Sequence, residues 1–270
     1  MAGARHYFEQ ALASSEAVYS PNYINLATVL NNFGNILQDM GELAGARHYY
    51  ERALSVVQQG SSEQHIITGT ILNNLGEVLR EQGNLHAARQ SFERALIIHQ
   101  RILGDQHPTI SATLNNLGLV LHAQGDYAAA RHYYEQALAI VEQVQGMEHP
   151  DTARTINNLG GVLWEQGDLA GARPYFEQAL AIVQQRLGPD HPTTRTIRGS
   201  LASLQIAEIE QQAAQAVEHV LAEGSAEARD NLLERLAVAA VAYEGGQEEG
   251  SPWLALAARL RTLAARLKGE

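Results

Sequence analysis

The sequence repeats itself every 42 residues, and that period limits what the chain can fold into. Doubled asparagines stand at Asn31-Asn32, Asn73-Asn74, Asn115-Asn116 and Asn157-Asn158. A second segment keeps the same step: "GARHYFEQAL" from Gly3, "GARHYYERAL" from Gly45, "AARQSFERAL" from Ala87, "AARHYYEQAL" from Ala129 and "GARPYFEQAL" from Gly171. So do Gly41, Gly83, Gly125 and Gly167. So do His107-Pro108, His149-Pro150 and His191-Pro192, with His65-Ile66 in the earlier slot. A unit this short cannot bury its own apolar face, so it must stack on its neighbours.

Each marker has a mechanical reason. Pro108, Pro150 and Pro192 suit the first turn of a helix, where no amide hydrogen is needed. This helix, A, carries Leu114, Leu117, Val120 and Leu121 at helical spacing. The turn glycine ends it, because glycine tolerates the left-handed conformation of a C-cap. Asn84, Asp126 and Asp168 are good N-caps for the following helix B, and Glu42 is a weaker one. Ala130, Tyr134, Ala137 and Leu138 form the inner face of B, whose alanines allow close approach. Pro174 falls inside one B helix and predicts a bend there.

The pattern L-x-x-L-G-x-x-L, a turn glycine, then A-x-x-x-Y/F-x-x-A resembles the tetratricopeptide repeat. The 42-residue length and the wording "TLNNLG…QGDY…AR.YYEQALAI…LG.DHPTT" are similar to the kinesin light chain subclass. The resemblance implies an all-α fold, a right-handed superhelical solenoid of helix-turn-helix repeats, over residues 1–205. A helical C-terminal cap follows over 206–270. It also implies a non-catalytic module for protein–protein interaction.

Both ends depart from the pattern. Residues 1–20 read as a helix B with no helix A before it, a truncation edge or a self-association surface. Near the other end Gly199-Ser200 replaces the asparagine pair and Ile209 replaces the turn glycine. Helix A of that unit should therefore continue from Pro192 to near Ala222. Further helices are expected from Ala226 to Tyr243 and after Ser251, an N-cap followed by Pro252. In the last helix Trp253, Leu256, Leu260, Leu263 and Leu267 fall on one stripe, with Arg259, Arg261, Arg266 and Lys268 elsewhere. Such a stripe binds membranes, partners or a second copy, or packs on its own domain, which is the commoner outcome.

The formal net charge of −11 argues against nucleic acid, whose backbone demands a basic face. The absence of cysteine removes disulfides and thiolate zinc sites and fits a reducing, cytoplasmic setting. No apolar run approaches a membrane span. His107, His149 and His191 sit one per repeat, about 10 Å apart by helix packing, too far to share a metal. Glu51, Glu93, Glu135 and Glu177 are periodic too, and no phosphate loop, nucleophile elbow or HExxH is present. No cofactor, metal or catalytic residue is expected. The alanine- and arginine-rich composition reads as bacterial, and by analogy an adaptor or sensor part of a signalling or scaffold system.

The asparagines need a reason, because asparagine is a poor mid-helix residue. They bridge to the backbone of the adjacent repeat, or they grip the backbone of an extended peptide, since an amide offers both a donor and an acceptor. In stacked helix pairs the A helices line the concave face. The resemblance implies that Asn32, Asn74, Asn116 and Asn158 contact a peptide there, with Asn31, Asn73, Asn115 and Asn157 beside them. Neighbours on a helix are about 100° apart, so one of each pair faces the groove squarely. Family alignment adds Thr28, Asn35, Gln38, Asp39, Thr70, Glu77, Arg80, Glu81, Leu119, His122, Ala123, Arg154, Gly161, Trp164 and Glu165 as specificity positions. Trp164, unlike its siblings Gln38, Arg80 and His122, is an anchor candidate or a packing residue of the cap. Arg80 and Arg154 are candidate partners for an acidic ligand residue. The Lys/Arg clamp that holds a C-terminal carboxylate in chaperone-type grooves is absent, since Asn fills those slots and Lys268 is the only lysine.

Overall fold

The computed structural model describes residues 23–60, 65–244 and 252–269. Among them all regular structure is helical. Four A/B pairs come first: α1 (Tyr23–Asp39) with α2 (Leu43–Gln59), α3 (Ile66–Glu81) with α4 (Leu85–Leu103), α5 (Pro108–Ala123) with α6 (Tyr127–Gln145), and α7 (Pro150–Glu165) with α8 (Leu169–Leu187). Then come α9 (Pro192–Glu223), α10 (Ala226–Glu244) and α11 (Pro252–Lys268). The residues expected to form an N-terminal helix B, and the Ser251 cap, lie outside the described residues. The architecture is an all-α repeat solenoid, in two compact units, Met1–Val162 and Leu163–Glu270, that divide within α7.

The expected punctuation is in place. Gly41, Gly83, Gly125 and Gly167 all have φ between 77° and 84°, the left-handed turn that lets B double back on A. Asn84, Asp126 and Asp168 accept the backbone N–H three residues on, at 3.4, 3.1 and 2.8 Å, whereas Glu42 makes no capping bond. Asp126→Ala should lower stability by about 1 kcal/mol in a urea titration, the usual cost of a lost N-cap. The histidine of each His-Pro pair is itself a cap. Nδ1 of His107, His149 and His191, and of His65, accepts the N–H two residues on at 3.1–3.2 Å. Helix α8 is continuous through Pro174. Arg47, Arg89, Arg131 and Arg173 each pair with the glutamate four residues on, Glu51, Glu93, Glu135 and Glu177, which accounts for those periodic carboxylates.

In the first unit the A/B interface is set by an aromatic ring on a glycine. Tyr50, Phe92 and Tyr134 are fully buried, and each lies over the glycine that follows the asparagine pair and its apolar neighbour. A Cβ at Gly34, Gly76 or Gly118 would meet the ring at 2.5, 2.7 and 2.4 Å. One buried position breaks the period. His99 stands where Val57, Val141 and Val183 stand in the other repeats, and its ring covers Gly69, where the siblings are Ala27, Ser111 and Ala153. It is 1% exposed, and neither ring nitrogen has a partner. Burial lowers its pKa, and His107 at the cap of α5 lowers it further.

Successive A helices approach each other, α1 to α3 and α3 to α5, whereas α2, α4 and α6 show no such approach. The A row is thus the shorter, inner side of this unit.

The second unit is built on α9. Without a turn glycine it runs from Pro192 to Glu223, as the sequence predicts. Arg173 on α8 makes a two-pronged contact to Glu208, its Nε donating at 3.2 Å and Nη2 to the other oxygen. Arg259 and Arg266 of α11 pair with Glu210 at 2.5 Å and Glu218 at 2.7 Å. Leu256, Ala257, Leu260 and Leu267 of α11 are buried with Val217, Val220, Leu232 and Leu236. The apolar stripe of the last helix is spent on its own unit, and its basic residues face outward.

Candidate peptide-binding groove

Along each A helix one stripe repeats at i, i+4, i+7 and i+11, positions that share a helix face. On α1 it reads Thr28, Asn32, Asn35, Asp39; on α3 Thr70, Asn74, Glu77, Glu81; on α5 Ala112, Asn116, Leu119, Ala123. Arg154, Asn158 and Gly161 continue it on α7.

The asparagine pairs form a side-chain ladder between repeats. Asn74 Nδ2 donates to Asn31 Oδ1 and to Asn35 Oδ1, both at 3.0 Å. Asn116 Nδ2 donates to Asn73 Oδ1 at 3.3 Å and to Glu77 Oε1 at 2.9 Å. Asn158 Nδ2 donates to Asn115 Oδ1 at 3.0 Å. The second asparagine of a pair thus reaches back to the first of the preceding pair. The bridge is to a side chain, not to the backbone that the sequence reading had in view.

The chemistry of the neighbours fixes which way Asn73, Asn115, Asn116 and Gln38 point. Glu77 can only accept, so Asn73, at 3.1 Å, and Asn116 both turn Nδ2 toward it. Asn115 Nδ2 donates to Thr155 Oγ1 at 2.7 Å, and that hydroxyl spends its own hydrogen on the Asp151 carbonyl at 3.1 Å. Gln38 Nε2 reaches Glu81 at 3.4 Å, which leaves its oxygen for the Tyr50 hydroxyl at 3.0 Å. The Tyr50 hydroxyl also lies 2.7 Å from Asn35 Oδ1, so its single hydrogen serves one of the two oxygens at a time. Burial raises the Tyr50 pKa, and the carboxylates of Glu77, Asp39 and Glu81 raise it further. Their fields therefore converge on this end of the A row.

Of each pair the first member is the more enclosed: Asn31 and Asn115 are buried, Asn73 and Asn157 half-buried. Asn32 is exposed, and Asn74, Asn116 and Asn158 are half-buried. Asn157 Oδ1 is buried without a donor. Arg80 lies off the stripe, with Nε buried and unpartnered and a guanidinium nitrogen 3.9 Å from Glu81. Leu119 is half-buried. His122 is half-buried with its ring against Tyr127, centroids 5.4 Å apart. Arg154 is exposed and paired with Asp151 at 3.2 Å.

Trp164 is half-buried in the second unit. It stands edge-on to Phe176, centroids 6.4 Å apart, beside Leu201 and Leu204 of α9.

Tyr50 and Thr155 were not singled out by sequence. Tyrosine alternates with phenylalanine in the aromatic slot, and only the structure shows the Tyr50 hydroxyl joining the amide network. Among the described residues no group of histidines and carboxylates is arranged to hold a metal, and no helix is long and apolar enough to cross a membrane.

Family models described as tetratricopeptide repeat match residues 1–59 and 67–143, and a further one matches 152–193. No curated protein matches the sequence. Among solved structures, BtubC (BKLC) from P. vanneervenii aligns with a TM-score of 0.63 at 18% identity, covering 92% of this chain and 93% of that one. Two structures of kinesin-light-chain nearly identical TPR-like repeats from Podosopora anserina, one a point variant, align with TM-scores of 0.56 and 0.55. Both are 18% identical and cover 89% of this chain, and 95% and 96% of theirs. At that identity the likeness is one of fold. Taken with the family models and the unbroken 42-residue period, it places this chain in the tetratricopeptide repeat family, with repeats of the kinesin-light-chain-like kind.

Proposed function

We propose that the chain is a non-catalytic interaction module that takes an extended segment of a partner protein along the A-helix row, as the adaptor or sensor part of a larger system. The observation that carries this reading is the row of Asn74, Asn116 and Asn158, whose Oδ1 atoms accept no bond from any described residue. Repeated polar groups at equal steps suit a ligand that is itself periodic, and a peptide backbone is one. The family supports it, since the tetratricopeptide fold is generally a protein-interaction module.

The test is a peptide-display selection on the purified protein. It runs beside an Asn74/Asn116/Asn158→Ala variant of full helical content and a second variant, Leu119→Arg, which blocks the stripe and leaves the ladder intact. Binders enriched on wild type and lost at least about tenfold on both variants support groove binding. Binders indifferent to Leu119→Arg would move the site off the A row.

A further inference from the structure

Resting on that reading, the hydrogen-bond polarity of the A row identifies the class of peptide. An asparagine amide normally offers a donor and an acceptor, so it takes either half of a peptide group. Here the donor half is consumed inside the protein. Both N–H groups of Asn74 go to Asn31 and Asn35, and both of Asn116 go to Asn73 and Glu77. What remains is Oδ1 on each. The same stripe on α3 adds Glu77, whose Oε2 accepts from no described residue, and Glu81. Asp39 holds the matching place on α1. Over the first two repeats the stripe thus carries Asp39, Glu77 and Glu81 with no cation, and its spare donors are the amide N–H groups of Asn32 and Asn35, so its charge is negative. Arg80, with a guanidinium nitrogen 3.9 Å from Glu81, lies off the stripe. One repeat on, the same slots hold Leu119 and Ala123, which offer no charge.

We propose that the groove selects a cationic, donor-rich segment. Its Lys or Arg side chains lie over α1 and α3 against Asp39, Glu77 and Glu81, and its next residues, uncharged and aliphatic, lie over Leu119 of α5. A guanidinium or ammonium brings only donors together with positive charge, which suits a stripe of three carboxylates. An acidic segment would meet Asp39, Glu77 and Glu81 with like charge against like.

The experiment uses the whole chain and three labelled peptides of one length, in which two adjacent positions are Arg, Gln or Glu and the rest are Ala, Leu and Ser. Fluorescence anisotropy is read at low and moderate salt. The Arg peptide should bind at least about tenfold tighter than the Gln peptide and weaken with salt. Glu77→Gln with Glu81→Gln should remove most of that preference. Gln keeps an oxygen for Asn73 and Asn116, so the ladder survives the change.

An off-groove control, Glu51→Gln with Glu135→Gln, removes the same charge from B helices and should change little. Equal loss in the control would show attraction to overall negative charge and overturn the proposal. So would tightest binding of the Glu peptide or of none. If peptides chosen by display prove groove-dependent but not cationic, this inference fails and the groove reading stands. If no peptide is sensitive to Leu119→Arg, the groove reading fails with it.

Discussion

A Gly118→Ala substitution should destabilise the first unit by about 1–3 kcal/mol, although the same change at an uncrowded helical glycine should help. Alanine in a helix interior is normally favoured over glycine by about 0.5–1 kcal/mol. At Gly118 the new methyl would stand 2.4 Å from the buried Tyr134 ring, and overpacking of this kind outweighs the propensity gain. Gly161, at a stripe position on α7, has nothing within 4 Å of an added Cβ. Gly161→Ala should therefore stabilise by the propensity alone. A urea titration of the two variants reads the contrast directly. Placing Gly118→Ala in a Tyr134→Leu background should remove most of its cost, since the clash partner is gone. If both glycine substitutions shift stability the same way, or the double variant is additive, the ring-on-glycine contact does not set the A/B spacing.

The second large effect is acid sensitivity centred on His99. The folded chain resists protonating this ring, because burial and the nearby His107 both lower its pKa. The unfolded chain takes the proton near the ordinary value of about 6.5. Below that pH the unfolded state binds more protons, so stability falls as pH drops. The slope reaches about 1.4 kcal/mol per pH unit until the folded pKa is passed. Helices α3 and α5, which pack on α4, carry Glu77, Arg80, Glu81 and His122, but it is His107 that acts on the ring. His99→Val combined with Gly69→Ala copies the pairing of Val57 with Ala27 one repeat earlier and should abolish this part of the pH dependence. The readout is the difference between wild-type and variant stability from pH 7.5 to about 5. Parallel curves for the two proteins would sink the assignment.

Most of the fold was legible because it is periodic. Helix ends follow from His-Pro, the turn glycine and the Asn or Asp cap, and each is a local rule that a single sequence carries. The length of α9 was legible from a missing signal, Ile209 in the glycine slot. The ladder was legible only by half. Two asparagines per repeat announced a polar role, but whether they faced a neighbour or a ligand depends on the offset between stacked helices, which no local rule contains. That offset sets Asn74 against Asn31 and Asn35, and turns the amide hydrogens inward. His99 left a trace that went unread: a histidine in a valine slot, with a glycine where its neighbours have alanine or serine. A repeat-based reading looks for what recurs, and this pair does not.

The ladder also bears on how such a chain can change in length. Every asparagine-to-asparagine rung runs the same way, with the later repeat donating and the earlier one accepting. A unit cut out or duplicated at the 42-residue step leaves each junction with one donor asparagine facing one acceptor asparagine. Growth by tandem duplication therefore costs no orphaned polar group at the new joints, and near-identical copies remain mutually compatible wherever they land.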